Sequence, residues 1–250
     1  IIKRILLNSH RHLMLRTLSF LLALAALPAR AADITFLVDT GTEMPMARFQ
    51  GWQLVGGIQY DVGQALAKAM GRDATFKILP RQRMLNALEK GSADVICSYI
   101  PQWLQGQFGW SQPFLPTVEV LLTSGEAERP RKLSDVSGQV IGTVLGYKYP
   151  ELERVLGDGF IRDDGPTTEA SLRKLAVGRM RHAVTSEYIY HYRLRQRDLP
   201  MAVHEPRVIK RYMTQCAVSP KGRVTVAEVN AGIAKMVRSG TVAEIVAKYR

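Results

Sequence analysis

TFKILPRQRMLNALEKGSADVICS, residues 75–98, reads as strand, helix, strand. Thr75 to Leu79 (TFKIL) is a short apolar-rich run closed by Pro80, which has no N–H to offer a ladder. Met84, Leu85 and Leu88 then share one helical face, and Gly91 ends the helix. Asp94 to Ser98 (DVICS) is the second apolar run. Upstream, Ile34 to Val38 (ITFLV) predicts a buried strand with a polar carboxyl end at Asp39-Thr40-Gly41. Ile58, Val62, Leu66 and Ala69 recur at helical spacing until Gly71. Strand, helix, strand, helix, strand in this order predicts a parallel sheet with helices over its faces.

The pattern restarts downstream. Val140 to Val144 (VIGTV) predicts a strand, followed by Gly146 and a helix carrying Leu152, Val155 and Leu156. Thr167 or Thr168 caps a helix bearing Leu172 and Leu175, Gly178 ends it, and Ala183-Val184-Thr185 is strand-like. Leu175-x-x-Gly178-x-x-Arg181 echoes Leu88-x-x-Gly91-x-x-Asp94, a helix end, a glycine turn and a buried strand each time. The echo predicts two α/β lobes of similar build. The tail adds a strand at Met213 to Val218. Two helices follow, with faces Val226, Val229, Ile233, Val237 and Val242, Ile245, Val246, separated by Gly240 and Thr241.

The chain has 250 residues, 46% hydrophobic and 22% charged, which is globular composition and excludes disorder as its main state. Two cysteines exclude a disulfide scaffold and a Cys-rich zinc site. Met14-Leu15-Arg16, the apolar run Leu18 to Leu27 and Ala29-Arg30-Ala31 predict a secretory signal peptide cut after Ala31, with residues 1–13 upstream of it. The run is too short for a membrane-spanning helix, which needs about 20 residues. Residues 1–31 hold Lys3, Arg4, Arg11, Arg16 and Arg30 and no acid, so part of the formal charge of +12 belongs to that segment. An exported chain meets an oxidising compartment, most simply a bacterial periplasm, where Cys97 and Cys216 are free to pair.

Gly57-Ile58-Gln59-Tyr60-Asp61-Val62, Leu88 through Val95, Trp110-Ser111-Gln112-Pro113-Phe114, Leu133 through Gly138 with Ile141-Gly142-Thr143, and Asn230 through Gly240 to Lys248-Tyr249 follow one another in a familiar order. Together they resemble the family 3 solute-binding proteins, the type II periplasmic binding proteins that serve amino-acid-type ABC importers. The resemblance implies an α/β fold of two lobes joined by two crossover strands at a hinge, near Val118 to Thr123 and Arg207 to Tyr212. Lobe one would comprise 32–119 plus 211–250, and lobe two 120–210. It implies a monomer that closes over a small-molecule ligand and hands it to an inner-membrane ABC permease or a membrane receptor. It also lays the strand holding Cys216 near the one holding Cys97, as candidates for a disulfide.

Ligands of open parallel sheets sit beyond the carboxyl ends of the strands. Those ends give the candidates Asp39, Glu43, Arg83, Ser98, Tyr99, Gly146, Tyr147, Lys148, Thr185, Ser186 and Glu187. Gly146-Tyr147 would open a helix whose free N–H groups attract a carboxylate, or form a plain turn. Arg83 would contact an anion, or sit on a solvated helix face. Asp39 would contact the ligand or cap a turn. Tyr99, Trp103 and Tyr147 would wall the ligand or simply pack. Asp61 is read as structural. The family's amino-acid binders carry an Arg where Leu104 stands and an Asp where Ser186 stands, followed here by Glu187. Arg181 replaces the usual Asp of the second glycine turn. Common α-amino acids are therefore expected to bind weakly, and another small polar or anionic organic solute to be preferred.

No H-E-x-x-H, Cys/His metal spacing, P-loop or G-x-S-x-G occurs in the sequence, so no cofactor or metal is expected and the chain is read as a binding protein, not an enzyme. The rival readings are a periplasmic enzyme on the same fold, of dehydratase or peptidoglycan-lytic type with Glu43 or Glu187 as acid, and a sensory input to a membrane receptor. His191 to Arg197 is basic and aromatic, but is read as a solvated helix end and not as a nucleic-acid site.

Overall fold

The computed structural model describes residues 32–199 and 201–249; the expected leader and upstream segment lie outside them. The elements are β1 (Ile34–Asp39), β2 (Arg48–Gln50), β3 (Gln53–Gly56), α1 (Ile58–Ala69), β4 (Ala74–Leu79), α2 (Arg81–Glu89), β5 (Val95–Tyr99), β6 (Gly109–Trp110), β7 (Leu115–Thr123) and β8 (Val140–Val144). Then come α3 (Pro150–Leu156), β9 (Ile161–Gly165), α4 (Thr168–Ala176), β10 (His182–Ser186), α5 (Glu187–Gln196), β11 (Arg207–Val218), α6 (Val226–Arg238) and α7 (Thr241–Tyr249).

β1 runs parallel to β4 and β5, and β8 runs parallel to β9 and β10. These two parallel groups are joined by β7 and β11, which are antiparallel to each other. β11 continues past that pairing to lie along β5, while β7 pairs with β10 on its other side. The strand order is β4-β1-β5-β11-β7-β10-β8-β9. The result is the α/β arrangement of two parallel groups that the sequence resemblance implies, and the segments expected as crossovers lie within β7 and β11.

Each half of the sheet has its own core. Ile58, Val62 and Leu66 of α1 pack with Val229 and Ile233 of α6 and with Val242 and Ile245 of α7. In the other half, Ile141, Leu152, Leu156 and Val184 form one cluster, and Leu122, Leu172, Leu175 and Ala183 another. Helix starts are set by side chains. Thr167 accepts from Ala170 N at the head of α4, and Thr225 with Glu228 forms a reciprocal cap on α6. Gly57 leads into α1 at φ 100°, and a Cβ there would lie 2.6 Å from Met46 O, so only glycine fits. Asp61 accepts from Lys248 Nζ and Tyr249 OH, which ties α1 to the chain end.

Three parts escape the periodic pattern. The β2–β3 hairpin and β9 are too short and polar to show it. α5 buries only Tyr188 and Ile189, so it has no apolar stripe to announce it. β11 begins at Arg207, earlier than the expected Met213, because exposed Lys210 and Arg211 stand side by side in its first half and interrupt the alternation. Among the described residues no helix is long and apolar enough to cross a membrane.

Candidate functional site

The carboxyl ends of β1, β4 and β5 face those of β8 and β10 across a cleft, the place where parallel sheets bind ligands. Within it lies a cavity of about 160 Å³, walled by Glu43, Gln59, Arg81, Ser98, Tyr99, Trp103, Glu119, Tyr147, Lys148, Thr168, Thr185 and Ser186 among others. A larger hollow of about 390 Å³ lies on the far side of Arg81 and Tyr147 and is bordered by Asp39, Leu104 and Gly146.

Arg81 opens α2, with Pro80 as the cap. Its Nε donates to Gly146 O at 3.1 Å, its Nη1 to Tyr99 OH at 3.0 Å, and its Nη2 to Trp103 O at 3.4 Å. Asp39 Oδ2 lies 3.7 Å from Nη1, and the guanidinium carbon lies 4.2 Å from the centre of the Tyr147 ring. Burial would weaken the charge, but Tyr99, Tyr147 and Asp39 outweigh it and hold the guanidinium above its ordinary pKa. Burial also pushes the phenols of Tyr99 and Tyr147 upward. Arg81 is thus engaged at every nitrogen and bridges the two halves of the cleft.

Glu43 makes the second bridge. Its carboxylate accepts from the Glu169 backbone N–H, in the first turn of α4, at 2.9 Å, and from Arg193 Nη2 at 3.0 Å. The helix start is a natural anion seat, and the protein's own carboxylate occupies it. Burial raises the Glu43 pKa, against the opposing pull of Arg193 and the Glu169 amide. Arg193 in turn lies within ion-pair reach of Glu43, Glu169 and Asp198.

Glu119 is different. It sits on β7, where Val118 and Val120 are buried and Thr117 and Glu119 border the cavity. Its Oε2 is buried and has no hydrogen-bond partner among the described residues. Burial, with Glu151 and Glu153 adding like charge, pushes its pKa up to about 8. Gln59 Oε1, Ser98 Oγ, Trp103 Nε1 and Thr185 Oγ1 are also buried without partners, and all four residues border the cavity. Ser98 adopts φ 69°, uncommon for a non-glycine residue. It follows Cys97, which forms a disulfide with Cys216 (S–S 2.00 Å).

The structure gathers Glu43, Ser98, Tyr99, Trp103, Tyr147, Lys148, Thr185 and Ser186 around the cavity, and places Asp39 behind Arg81. Three expected contacts lie elsewhere. Arg83 is exposed and borders neither hollow: on a helix it points away from the stripe shared by Arg81 and Leu85. The Gly146-Tyr147 amides open no helix. Gly146 takes φ 77°, Tyr147 N donates to Val144 O, and α3 starts only at Pro150. Gly146 instead offers its carbonyl to Arg81. Glu187 turns away from the cavity, 3.9 Å from His191 Nε2. Ser186 is spent capping α5 by accepting from Ile189 N, and Leu104 is buried in the core beneath Tyr99.

Arg81, Glu119 and Arg193 also belong to this site and are not among the residues expected there. Arg81 was readable from its helical phase with Leu85. Glu119 was readable as an acid inside the apolar strand run LPTVEVLLT. Arg193 carried no signal, because its partners Glu43 and Glu169 are remote in sequence.

Comparison with known proteins agrees with this architecture. The profile of the bacterial extracellular solute-binding proteins, family 3, matches residues 38–250. The L-cystine-binding protein TcyJ of Escherichia coli (strain K12) is 29% identical over 153 residues, 58% of this chain and 56% of TcyJ, so the match spans little more than half of that relative. An ancestral arginine-binding protein bound to arginine superposes with a TM-score of 0.70 at 19% identity, covering 88% of this chain and 98% of that one. A histidine kinase sensor domain with similarity to periplasmic binding proteins also gives 0.70, at 20% identity, over 88% and 96%. With the profile match running through both halves of the sheet and the cleft between them, this chain belongs to the family 3 bacterial extracellular solute-binding proteins.

Proposed function

We propose that this chain captures a small polar, amino-acid-like solute in the periplasm and presents it to the permease of an ABC importer. In this reading residues 32–119 with 211–250 form one lobe and 120–210 the other, and they close as a monomer over the solute. The observation that carries it is the cavity wall. Buried polar atoms are normally satisfied, yet five around this one cavity have no partner among the described residues. A ligand completes such a wall. The volume is below the roughly 300–1,000 Å³ of pockets for drug-sized ligands, which favours a small solute. The names of TcyJ and of the ancestral arginine-binding protein point to the amino-acid class.

Native mass spectrometry of freshly purified protein, paired with a thermal-shift screen of amino acids, amines and organic acids, tests this. A co-purified small molecule or a saturable rise in melting temperature is expected. Protein that carries nothing and responds to nothing would overturn it.

One observation favours an enzyme on the same fold: the raised acids Glu43 and Glu119 in the cleft. Glu43 is held by Arg193 and the Glu169 amide, which leaves Glu119 as the free acid. Incubating the protein with whichever solute binds, and following the mixture by NMR, separates the readings: a binding protein returns its ligand unchanged.

A further inference from the structure

We infer that Glu119 receives the protonated amine of the ligand, and that the cavity thereby selects organic ammonium compounds and does not require a carboxylate on them. This deepens the solute-binding reading and rests on it.

The charges around the cavity are unevenly committed. Two of the cavity's anion-attracting features are already used by the protein. Arg81 is spent on Gly146 O, Tyr99 OH, Trp103 O and Asp39. The start of α4 is filled by Glu43, which Arg193 also holds, while Thr167 takes the next amide, that of Ala170. Lys148 borders the cavity but is exposed at its rim. A carboxylate entering this space therefore finds no desolvated cation waiting for it. A cation finds Glu119.

Glu119 is held for this task by the sheet. It lies on β7 with Ser186 of β10 directly across one ladder and Lys210 of β11 across the other. Ser186 is neutral and committed to α5. Lys210 is half-exposed and turns to Glu151 of α3, 3.8 Å away. The other charged and titratable groups facing Glu119 are Glu151 and Glu153 of α3, Tyr149 just before that helix, and Tyr212 of β11. The two acids repel its charge, and the buried phenol of Tyr212 has no hydrogen-bond partner of its own. Among the described residues no ion pair engages Glu119. An ammonium group supplies the missing positive charge and hydrogen-bond donors together.

In the empty protein Glu119 retains its proton up to about pH 8. Binding an ammonium near neutral pH then releases that proton, so affinity rises with pH up to about 8, levels off once free Glu119 is ionised, and falls when the ligand's own amine loses its charge.

The test is isothermal calorimetry in buffers of different ionisation enthalpy, using 1,4-diaminobutane, ethanolamine, L-arginine, L-glutamine and succinate on wild type, Glu119→Gln and Glu119→Asp. The amines, with or without a carboxylate, should bind wild type and release about one proton near neutral pH. Succinate should not bind. Glu119→Gln should weaken the amines about 30-fold or more and abolish proton release, and Glu119→Asp should lose less. Succinate binding as tightly as the amines, or Glu119→Gln binding them as wild type does, would overturn the subsite and leave the solute-binding reading standing. No binding by any probe would count against the solute-binding reading itself and remove the subsite with it. Should Glu119→Gln not fold, the proton count on wild type decides, because amine binding without proton release contradicts the proposal.

Discussion

A carboxyl group kept neutral inside a fold costs that fold stability whenever the solution would rather ionise it. Between the ordinary glutamate value of 4.5 and about 8, folded Glu119 keeps a proton that the unfolded chain has lost. The stability of the empty protein should therefore fall as pH rises through that window, by at most about 1.4 kcal/mol per pH unit from this group. Glu119→Gln should flatten the decline and raise the alkaline stability, as read from urea midpoints across the range; an unchanged slope would show that Glu119 is not buried as described. His182 acts at the other end. Burial, with Arg181 adding to it, presses its pKa from 6.5 down to about 4, and its ring nitrogens meet Thr123 Oγ1 and Gln139 Oε1. The unfolded chain binds this proton first as pH falls, so stability is lost from about 6.5 towards 4. His182→Gln should remove that acid loss while costing ~1–2 kcal/mol at neutral pH through its hydrogen bonds. Individual residues of the site were only partly legible in the sequence. Strand ends announce themselves by composition, so Ser98, Tyr99, Tyr147 and Thr185 could be named. Arg81 and Arg83 lie about 200° apart around α2, so only the one in phase with Leu85, Arg81, faces the cleft.

At the scale of elements, the disulfide joins neighbouring strands that are far apart in the chain. Cys97 on β5 and Cys216 on β11 are opposite one another in the ladder, 119 positions apart in the chain. Closing so long a loop restricts the unfolded chain, and the bond should contribute ~2–4 kcal/mol. The Cys97→Ala, Cys216→Ala double variant should lose that amount in urea unfolding, and thiol titration of unreduced protein should find no free thiols. Cys97 also precedes Ser98 in the cavity wall, so the variant should weaken ligand binding as well as stability; loss of stability alone would show that Ser98 is held by its other neighbours. Elements with a buried stripe, such as α1 with Ile58, Val62 and Leu66, were legible because burial on one face imposes a period. α5 was legible only as a helix end at His191 to Arg197, since its buried residues Tyr188 and Ile189 are adjacent and form no stripe, and that end is not wholly solvated because Arg193 turns in to Glu43. The pairing of β11 with both β5 and β7 could be anticipated only through family resemblance, because a ladder between distant strands leaves no mark in either strand alone.

For the molecule as a whole, β7 and β11 are the sheet's links between its two parallel groups, and closure of the cleft should bend them. Arg81 to Gly146, and Glu43 to Arg193 and the Glu169 amide, latch the two sides of the cleft, and Arg195 Nη2 also donates to Tyr249 O. Arg193→Met removes one of them. Small-angle scattering should show a larger radius for the empty variant than for empty wild type, and compaction of both on saturation with ligand. Equal radii would mean that Arg193 does not help hold the cleft shut.

The seat that Glu43 takes at the head of α4 has a kinetic consequence. A solute enters this cleft only through the fraction of molecules in which the latches are released. Capture then proceeds through the open fraction, and at high solute concentration its observed rate should level off at the rate of opening, well short of the diffusion limit. An anion meets a further obstacle, since the side chain of Glu43 competes for the same amide and the same guanidinium. The protein in effect carries its own tethered competitor, present at a local concentration that no dissolved carboxylate matches.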